Sequence, residues 1–245
     1  MTARLPEYEI TGLGSAAAVL WDIDGTLLTS GSVAARAFLE AVEQVGGSRP
    51  NPAGIDFGGR IDPEIATLLL AAIGQDAVLV PAVLARLAEL VEERSEALTA
   101  HTRALAGVEP LLHRLAGAGV RQTVVTGNIR SVALRKLDAA SLIPPIDPAY
   151  GGYGDSGVTR VEVARAALLS LFGPTWPSMA RSCWIIGDTA RDQACAQALG
   201  LRCALVATGR HDVAALTGLG ADLVLTSLDD AAAVEALWRD MCITS

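Results

Sequence analysis

The chain has 245 residues, 51% of them hydrophobic, and a formal net charge of −8 at pH 7. That length and composition support a sizeable globular core, while the acidic balance excludes a broad nucleic-acid or anionic-membrane surface, which is built on excess Lys and Arg. No stretch reaches the ~18 uncharged apolar residues of a membrane span, and the opening "MTARLPEYEITGLG" lacks the basic and apolar regions of a secretory signal, so a cytoplasmic location is expected.

The first element is the apolar run "AAAVLW", residues 16–21, which reads as a buried strand and ends in "DIDGTLLTSG". "SVAARAFLEAVEQVGG" then carries Val33, Ala37, Phe38, Ala41, Val42 and Val45 at helical spacing and stops at paired glycines. Two more helical patterns follow, "PEIATLLLAAIG" and "PAVLARLAELVEERSEAL", punctuated by Gly and Pro and with no strand between them. Residues 32–104 are therefore expected to form an all-helical insert, flanked by a second unit made of residues 1–31 and 105–245.

From Gly107 the texture changes. Helix "VEPLLHRLAGAG", strand "RQTVVTG" and helix "IRSVALRKLDAAS" are followed by a short extended piece near "PAYGGYG" and helix "RVEVARAALLSLFG". Strand "SCWIIGD", helix "ARDQACAQALG", strand "LRCALVATG" and a short strand "ADLVLT" complete the alternation. Such alternation predicts an α/β, Rossmann-like, three-layer architecture, a mostly parallel sheet covered by helices with ligands at the carboxyl ends of its strands.

Three apolar strands end in polar clusters: Asp22 and Asp24; Thr126, Gly127 and Asn128; Asp188, Thr189 and Asp192. Four carboxylates converging on one sheet edge repel one another and raise one another's pKa unless a cation holds them, and oxygen-only ligands suit Mg²⁺. Other signals fail on context. Cys183, Cys195, Cys203 and Cys242 form no C-x-x-C pair, which points to reduced thiols. His101, His113 and His211 are too scattered for a Ser-His-Asp triad, and "GLGSAA" precedes a strand where a dinucleotide fingerprint would follow one.

"DIDGTL", "VVTGN" and "IIGDTARD", in this order and on these elements, resemble the motifs of the haloacid dehalogenase-like (HAD) hydrolase superfamily, specifically its phosphoglycolate-phosphatase-like members with a helical cap. The resemblance implies that the insert is the cap and the rest the hydrolase core. It implies that Asp22 is a nucleophile that becomes an aspartyl phosphate, and that Asp24 protonates the leaving oxygen and then activates water. Thr126, with backbone N–H groups around Gly127 and Asn128, would hold phosphate oxygens. Asp22, Asp188 and the backbone carbonyl of Asp24 would ligate Mg²⁺, with Asp192 at the metal or orienting its waters.

The chain departs from the pattern where many relatives carry Lys-Pro, here "GDSGVTRVEVA". Arg160 opens that helix and is one candidate for the cation that neutralises the phosphoryl group. The other is Lys136, the single lysine among 19 basic residues, which lies some six residues into its helix, roughly 9 Å of rise from the phosphate-facing end. Its alternative role is a solvated charge on a helix face. In "FGGRIDPEI", Arg60 and Asp62 either contact substrate from the cap or form a loop salt bridge and a helix cap.

The expected activity is Mg²⁺-dependent hydrolysis of a small phosphorylated metabolite, phosphoglycolate-like or a sugar phosphate, by a monomer or homodimer. A phosphomutase shares every core motif and stays open as an alternative. A 2-haloacid dehalogenase uses the first aspartate as well but has no need of metal, and Asp24 with Asp188 argues against it. A non-enzymatic phospho-acceptor would leave Asp24 and the cap without a purpose.

Overall fold

The computed structural model describes residues 17–242. The N-terminal stretch, nearly all of "GLGSAA" and the side chain of Cys242 lie outside the described residues. The chain enters through β1 (Ala18–Trp21) and β2 (Leu28–Thr29), then runs through four helices, α1 (Val33–Gly46), α2 (Asp62–Ala72), α3 (Val80–Glu93) and α4 (Ser95–His101). It returns by β3 (Arg103–Ala104), α5 (Val108–Gly117), β4 (Arg121–Val124) and α6 (Arg130–Ala139). Helix α7 (Arg160–Phe172), β5 (Cys183–Gly187), α8 (Ala190–Leu199), β6 (Arg202–Val206), α9 (Val213–Thr217), β7 (Leu223–Leu225) and α10 (Ala231–Cys242) follow.

Five strands form one parallel sheet in the order β4-β1-β5-β6-β7. Side chains alternate across a strand, and both faces of this sheet are covered. Val19, Trp21, Val124, Trp184, Ile186 and Val206 pack with α5, α6 and α10. Ala18, Leu20, Cys183, Ile185, Cys203 and Leu205 pack with α7, α8 and α9 on the other side. A parallel sheet buried on both faces explains why its strands read as near-continuous apolar runs, and the three-layer α/β architecture expected from the sequence is the one observed.

The insert builds a third core of its own, where Phe38, Val42, Leu69, Leu70, Leu87 and Leu98 meet Ile129 and Val132 beside α6. The segment expected as one helix, "PAVLARLAELVEERSEAL", is two. It breaks at Arg94, whose backbone leaves the helix at φ −109° and ψ 21°, and α4 turns so that Leu98 faces the same core. The antiparallel pair β2–β3, the 3-10 stretch Gly173–Ser182, α9 and α10 were not anticipated; the two-residue strands and the five-residue α9 are too short for a period to show.

Two of the joints between the insert and the sheet unit bear most directly on the site. Strands β2 and β3 pair where the chain leaves and returns, Leu28 opposite Ala104 and Thr29 opposite Arg103. The second joint is Asp62, the first residue of α2: its N–H donates to the Gly127 carbonyl at 2.7 Å, and its Oδ2 accepts from the Ile129 N–H at 2.8 Å. Helix α6 has no side-chain cap of its own, so an acid from another element serves an orphan N–H at its start. Gly127 permits the close approach, because a Cβ there would lie 1.8 Å from the Arg60 carbonyl oxygen.

Burial pushes the Asp62 carboxyl up to about 6, against the Ile129 hydrogen bond and the charge of Lys136, with Asp24 adding to the rise. An aspartate whose pKa rises on folding destabilises the fold where it is ionised; the cost is absent below the unfolded pKa near 3.8 and complete above about 6. Asp62→Asn keeps an acceptor for Ile129 and removes the titration. The variant is expected to gain stability relative to wild type, by up to about 3 kcal/mol, as pH rises from 4 to 7. Urea midpoints at each pH would read this, and a constant difference across the range would refute it.

Candidate active site

Register sets the site. Trp21 of β1 lies opposite Ile186 of β5, so the next residues, Asp22 on one strand and Gly187-Asp188 on the other, emerge side by side at the carboxyl edge. Asp22 N–H donates to the Ile186 carbonyl at 2.8 Å, which extends the ladder by one residue and holds the first acid in place. Helix α8 starts just beyond β5 and contributes Asp192. Carboxylate oxygens of Asp22, Asp188 and Asp192 all lie within 4.8 Å of one another, and all three residues are buried.

Asp24 does not join them. The sequence predicts four converging carboxylates, whereas the structure gathers three and turns the half-exposed Asp24 side chain to Lys136, Oδ2 to Nζ at 2.5 Å. Lys136 also donates to Asn128 Oδ1 at 2.8 Å and is 3% exposed. The solvated-face reading of Lys136 is thereby corrected. A long side chain in a helix leans back toward the N-terminus, so its reach spans the rise that separates Lys136 from the site.

Arg160 comes from the start of α7 and is the other buried cation. Its Nη2 donates to Asp22 Oδ1 at 2.7 Å, to Asp192 Oδ1 at 2.5 Å and to the Val125 carbonyl at 3.2 Å. Nε and Nη1 are buried without a partner. Asp192 uses its second oxygen differently: Oδ2 accepts from the Thr189 N–H at 3.1 Å and the Thr189 hydroxyl at 2.6 Å, the arrangement of a helix-capping acid. Asp192 therefore both starts α8 and orients Arg160.

The electrostatics follow from crowding. Burial pushes the Asp22 carboxyl well above the ordinary range, Arg160 opposes, and Asp192 and Asp188 add to the rise. Asp188 is pushed up to about 7 by burial and by the charge of Asp192. For Arg160 burial works against the charge, yet Asp192 and Asp22 together raise its pKa. Asp188 Oδ1 is buried with no hydrogen-bond partner, and the backbone closes round its other oxygen: a Cβ on Gly25, which has φ +88°, would stand 2.6 Å from Oδ2. Three buried acids, one neutralising guanidinium and an orphaned carboxylate oxygen make a donor set that fits a hard divalent cation.

Thr126 is buried, and its Oγ1 accepts from the Asn128 N–H at 3.2 Å, leaving the hydroxyl proton free to donate. The start of α6 is less open to an anion than the sequence suggests. Ile129 N–H goes to Asp62, and Arg130 N–H goes to Asp155 at 3.2 Å. Arg60 is engaged too: Nε donates to the Asp56 carbonyl at 2.7 Å, and Nη1 pairs with Glu64. Of the two readings of Arg60 and Asp62, the loop salt bridge and the helix cap are what the structure contains, except that Asp62 caps α6 and not its own helix.

Arg191 escaped the sequence reading. It donates to Asp56 at 2.9 Å and to the Gly58 carbonyl at 2.5 Å, tying the insert's loop to the start of α8. Its position inside "GDTARD" was the available signal. Cys183, Cys195 and Cys203 are free and buried, and burial pushes the Cys183 and Cys195 thiols up to about 12, so they are inert. Asp22, Asp24, Asp188, Arg160, Thr126, Asn128, Lys136, Arg60, Asp62 and Arg191 line one cavity of about 780 Å³ between the insert and the sheet edge.

Residues 19–197 match the profile of the haloacid dehalogenase-like hydrolase family. Among solved structures, a predicted phosphatase from Clostridium acetobutylicum superposes with a TM-score of 0.71 at 19% identity, covering 91% of this chain and 99% of its own. A hydrolase from Pseudomonas syringae gives 0.63 at 19% identity, covering 87% and 95% respectively. CbbY from Rhodobacter sphaeroides, solved with xylulose-1,5-bisphosphate, gives 0.60 at 22% identity, covering 88% and 96%. At these identities the superpositions speak for the fold alone. No curated protein matches the chain. Among the described residues no helix is long and apolar enough to cross a membrane. With nearly three quarters of its length matched by that profile, the chain belongs to the haloacid dehalogenase-like hydrolase family.

Proposed function

We propose that the protein is a Mg²⁺-dependent phosphatase that hydrolyses a small phosphomonoester through an aspartyl phosphate on Asp22, with residues 32–104 acting as a cap over the site. The observation that carries the reading is the convergence of Asp22, Asp188 and Asp192 with Arg160 at the end of one cavity. Asp22, Asp188 and the Asp24 carbonyl would hold the ion, with Asp192 behind them; when bound, it offsets charge on the phosphoryl group and on the acids.

In the first half-reaction a carboxylate oxygen of Asp22 attacks phosphorus, and the bond from phosphorus to the alcohol oxygen breaks. Asp24, as the acid, gives its proton to that oxygen. In the second, Asp24 takes a proton from water, the water oxygen attacks phosphorus, and Asp22 leaves with its electron pair as inorganic phosphate forms. Arg160, with Nε and Nη1 unpaired, and the Thr126 hydroxyl would hold non-bridging oxygens. Lys136 bridges Asp24 and Asn128, so we assign it the positioning of the acid and assign Arg160 the neutralising of phosphate.

Asp22→Asn is expected to abolish turnover and the covalent intermediate, because an amide is a poor nucleophile. Rapid acid quench with labelled substrate reads the intermediate directly; label on Asp24, or activity retained in Asp22→Asn, would reverse the assignment. Arg160→Ala is expected to lower kcat by about two to three powers of ten, the usual consequence of losing an oxyanion donor. Lys136→Ala should instead flatten the pH dependence of kcat and spare substrates whose leaving group needs no proton. EDTA should abolish activity, and Mg²⁺ should stabilise the fold by about 2.7 kcal/mol at a hundredfold excess over Kd, seen as a higher melting temperature. Full activity in metal-free buffer would remove the mechanism.

A further inference from the structure

The cavity is larger and less polar than a phosphate site requires. Its polar end is the carboxylate cluster with Lys136, Asn128 and Thr126, and from there it extends into the cap. The walls of that extension are Ala34, Phe38 and Leu39 of α1, Ile65 and Leu69 of α2, and Leu87 of α3, with Val132 of α6 beside them. Phe38, Ile65, Leu69 and Leu87 belong to the insert's own apolar core, so the lobe is walled by side chains of the helical bundle itself.

Of the basic groups that line the cavity outside the carboxylate cluster, three are paired within the protein, while Arg210 and His211, both exposed, come from the loop after β6 and not from the helices that wall the lobe. Lys136 serves Asp24, Arg60 serves Glu64, and Arg191 serves Asp56 and the Gly58 carbonyl. A sugar phosphate brings several hydroxyls, each of which loses water on entry and needs a partner; six apolar side chains supply none. Phosphoglycolate brings a carboxylate as a second anionic group and would leave most of about 780 Å³ to water against apolar walls. Neither matches the lobe.

We infer that the cap selects phosphomonoesters of hydrocarbon alcohols, alkyl or aryl, with the phosphate on the carboxylate cluster and the apolar group in the lobe between α1, α2 and α3. The inference rests on the phosphatase reading above for its chemistry, but the lobe makes a prediction of its own. Along a series of n-alkyl phosphates the leaving alcohol is chemically constant, so any trend with length reports burial. Each methylene placed against the lobe is worth about three- to fourfold in kcat/KM.

The experiment compares ethyl, butyl and hexyl phosphate with phosphoglycolate and glucose 6-phosphate, in Mg²⁺ buffer, and titrates ethyl- and hexylphosphonate as non-hydrolysable counterparts. We expect kcat/KM to rise on the order of a hundredfold from ethyl to hexyl phosphate, hexyl phosphate to surpass both polar substrates, and hexylphosphonate to bind correspondingly tighter than ethylphosphonate. Ala34→Phe, which fills the lobe from α1, should flatten the series. A flat series, a preference for either polar substrate, or a slope that survives Ala34→Phe in a folded variant would overturn the inference while leaving the phosphatase standing. Length-dependent phosphonate binding with no turnover of any ester would do the reverse. Equal binding of the two phosphonates overturns the lobe whatever the turnover.

Discussion

Three carboxylates buried at the end of a parallel sheet are costly to hold, since each charge gives up several kcal/mol of hydration and a single guanidinium faces all three. The rest of the molecule is arranged around that cost. Strands β1 and β5 run side by side in a register that brings Asp22 and Asp188 out together, and α7 begins at the residue that answers them, Arg160. Asp192 is fixed from two directions, by the Thr189 cap on one oxygen and by Arg160 on the other. The apolar layers on both faces of the sheet supply the stability that the charge cluster consumes. An unfavourable cluster of this kind is stable chiefly as something's binding site, which is why the orphaned oxygen of Asp188 and the free nitrogens of Arg160 point to function more strongly than any one motif.

The cap is coupled to this cluster through α6 more than through the hinge alone. One end of α6 is capped by Asp62 from the insert, one face carries Val132 into the insert's core, and Lys136 on the same helix holds Asp24. A displacement of α2 would therefore strip an acceptor from the start of α6, the helix that positions the acid. Arg191 makes a matching tie on the far side, from α8 to the loop at Asp56 and Gly58. Separating the insert from the sheet unit would break contacts with two helices, each of which carries a residue assigned above to the chemistry. Exclusion of water during phosphoryl transfer and assembly of the site can then be one event.

What the sequence disclosed divides along physical lines. The strand ends were legible because a run such as "CWIIG" followed by Asp188 couples burial to charge within a few residues, and neighbouring parallel strands turn that local pattern into a cluster. The three layers were legible for the same reason. Lys136 was legible as a candidate but not its partner Asp24, because the axial rise along a helix says nothing of a flexible side chain reaching back one or two turns. Asp62 was ambiguous, since its partner Ile129 is 67 residues away and no local spacing encodes a cap supplied from another element. The break at Arg94 was hidden because apolar periodicity continues through it. Helix α10 was missed although Leu237 and Met241 bury fully, its apolar positions lying in an alanine-rich stretch with weak contrast.

The division of the cavity bears on how such a protein changes substrate without changing chemistry. The groups assigned above to phosphorus all sit on elements of the sheet unit: Asp22 and Asp24 after β1, Thr126 after β4, Arg160 on α7, and Asp188 and Asp192 about β5 and α8. The insert contributes to the same cavity chiefly apolar surface from α1, α2 and α3. Substitutions there alter the volume and polarity offered to the leaving group, and they leave the carboxylate cluster untouched because the two sets of residues belong to separate cores. The exception is Asp62, which forms the joint with Gly127 and Ile129. At that position a change in the insert is also a change in α6, and through Lys136 a change at Asp24.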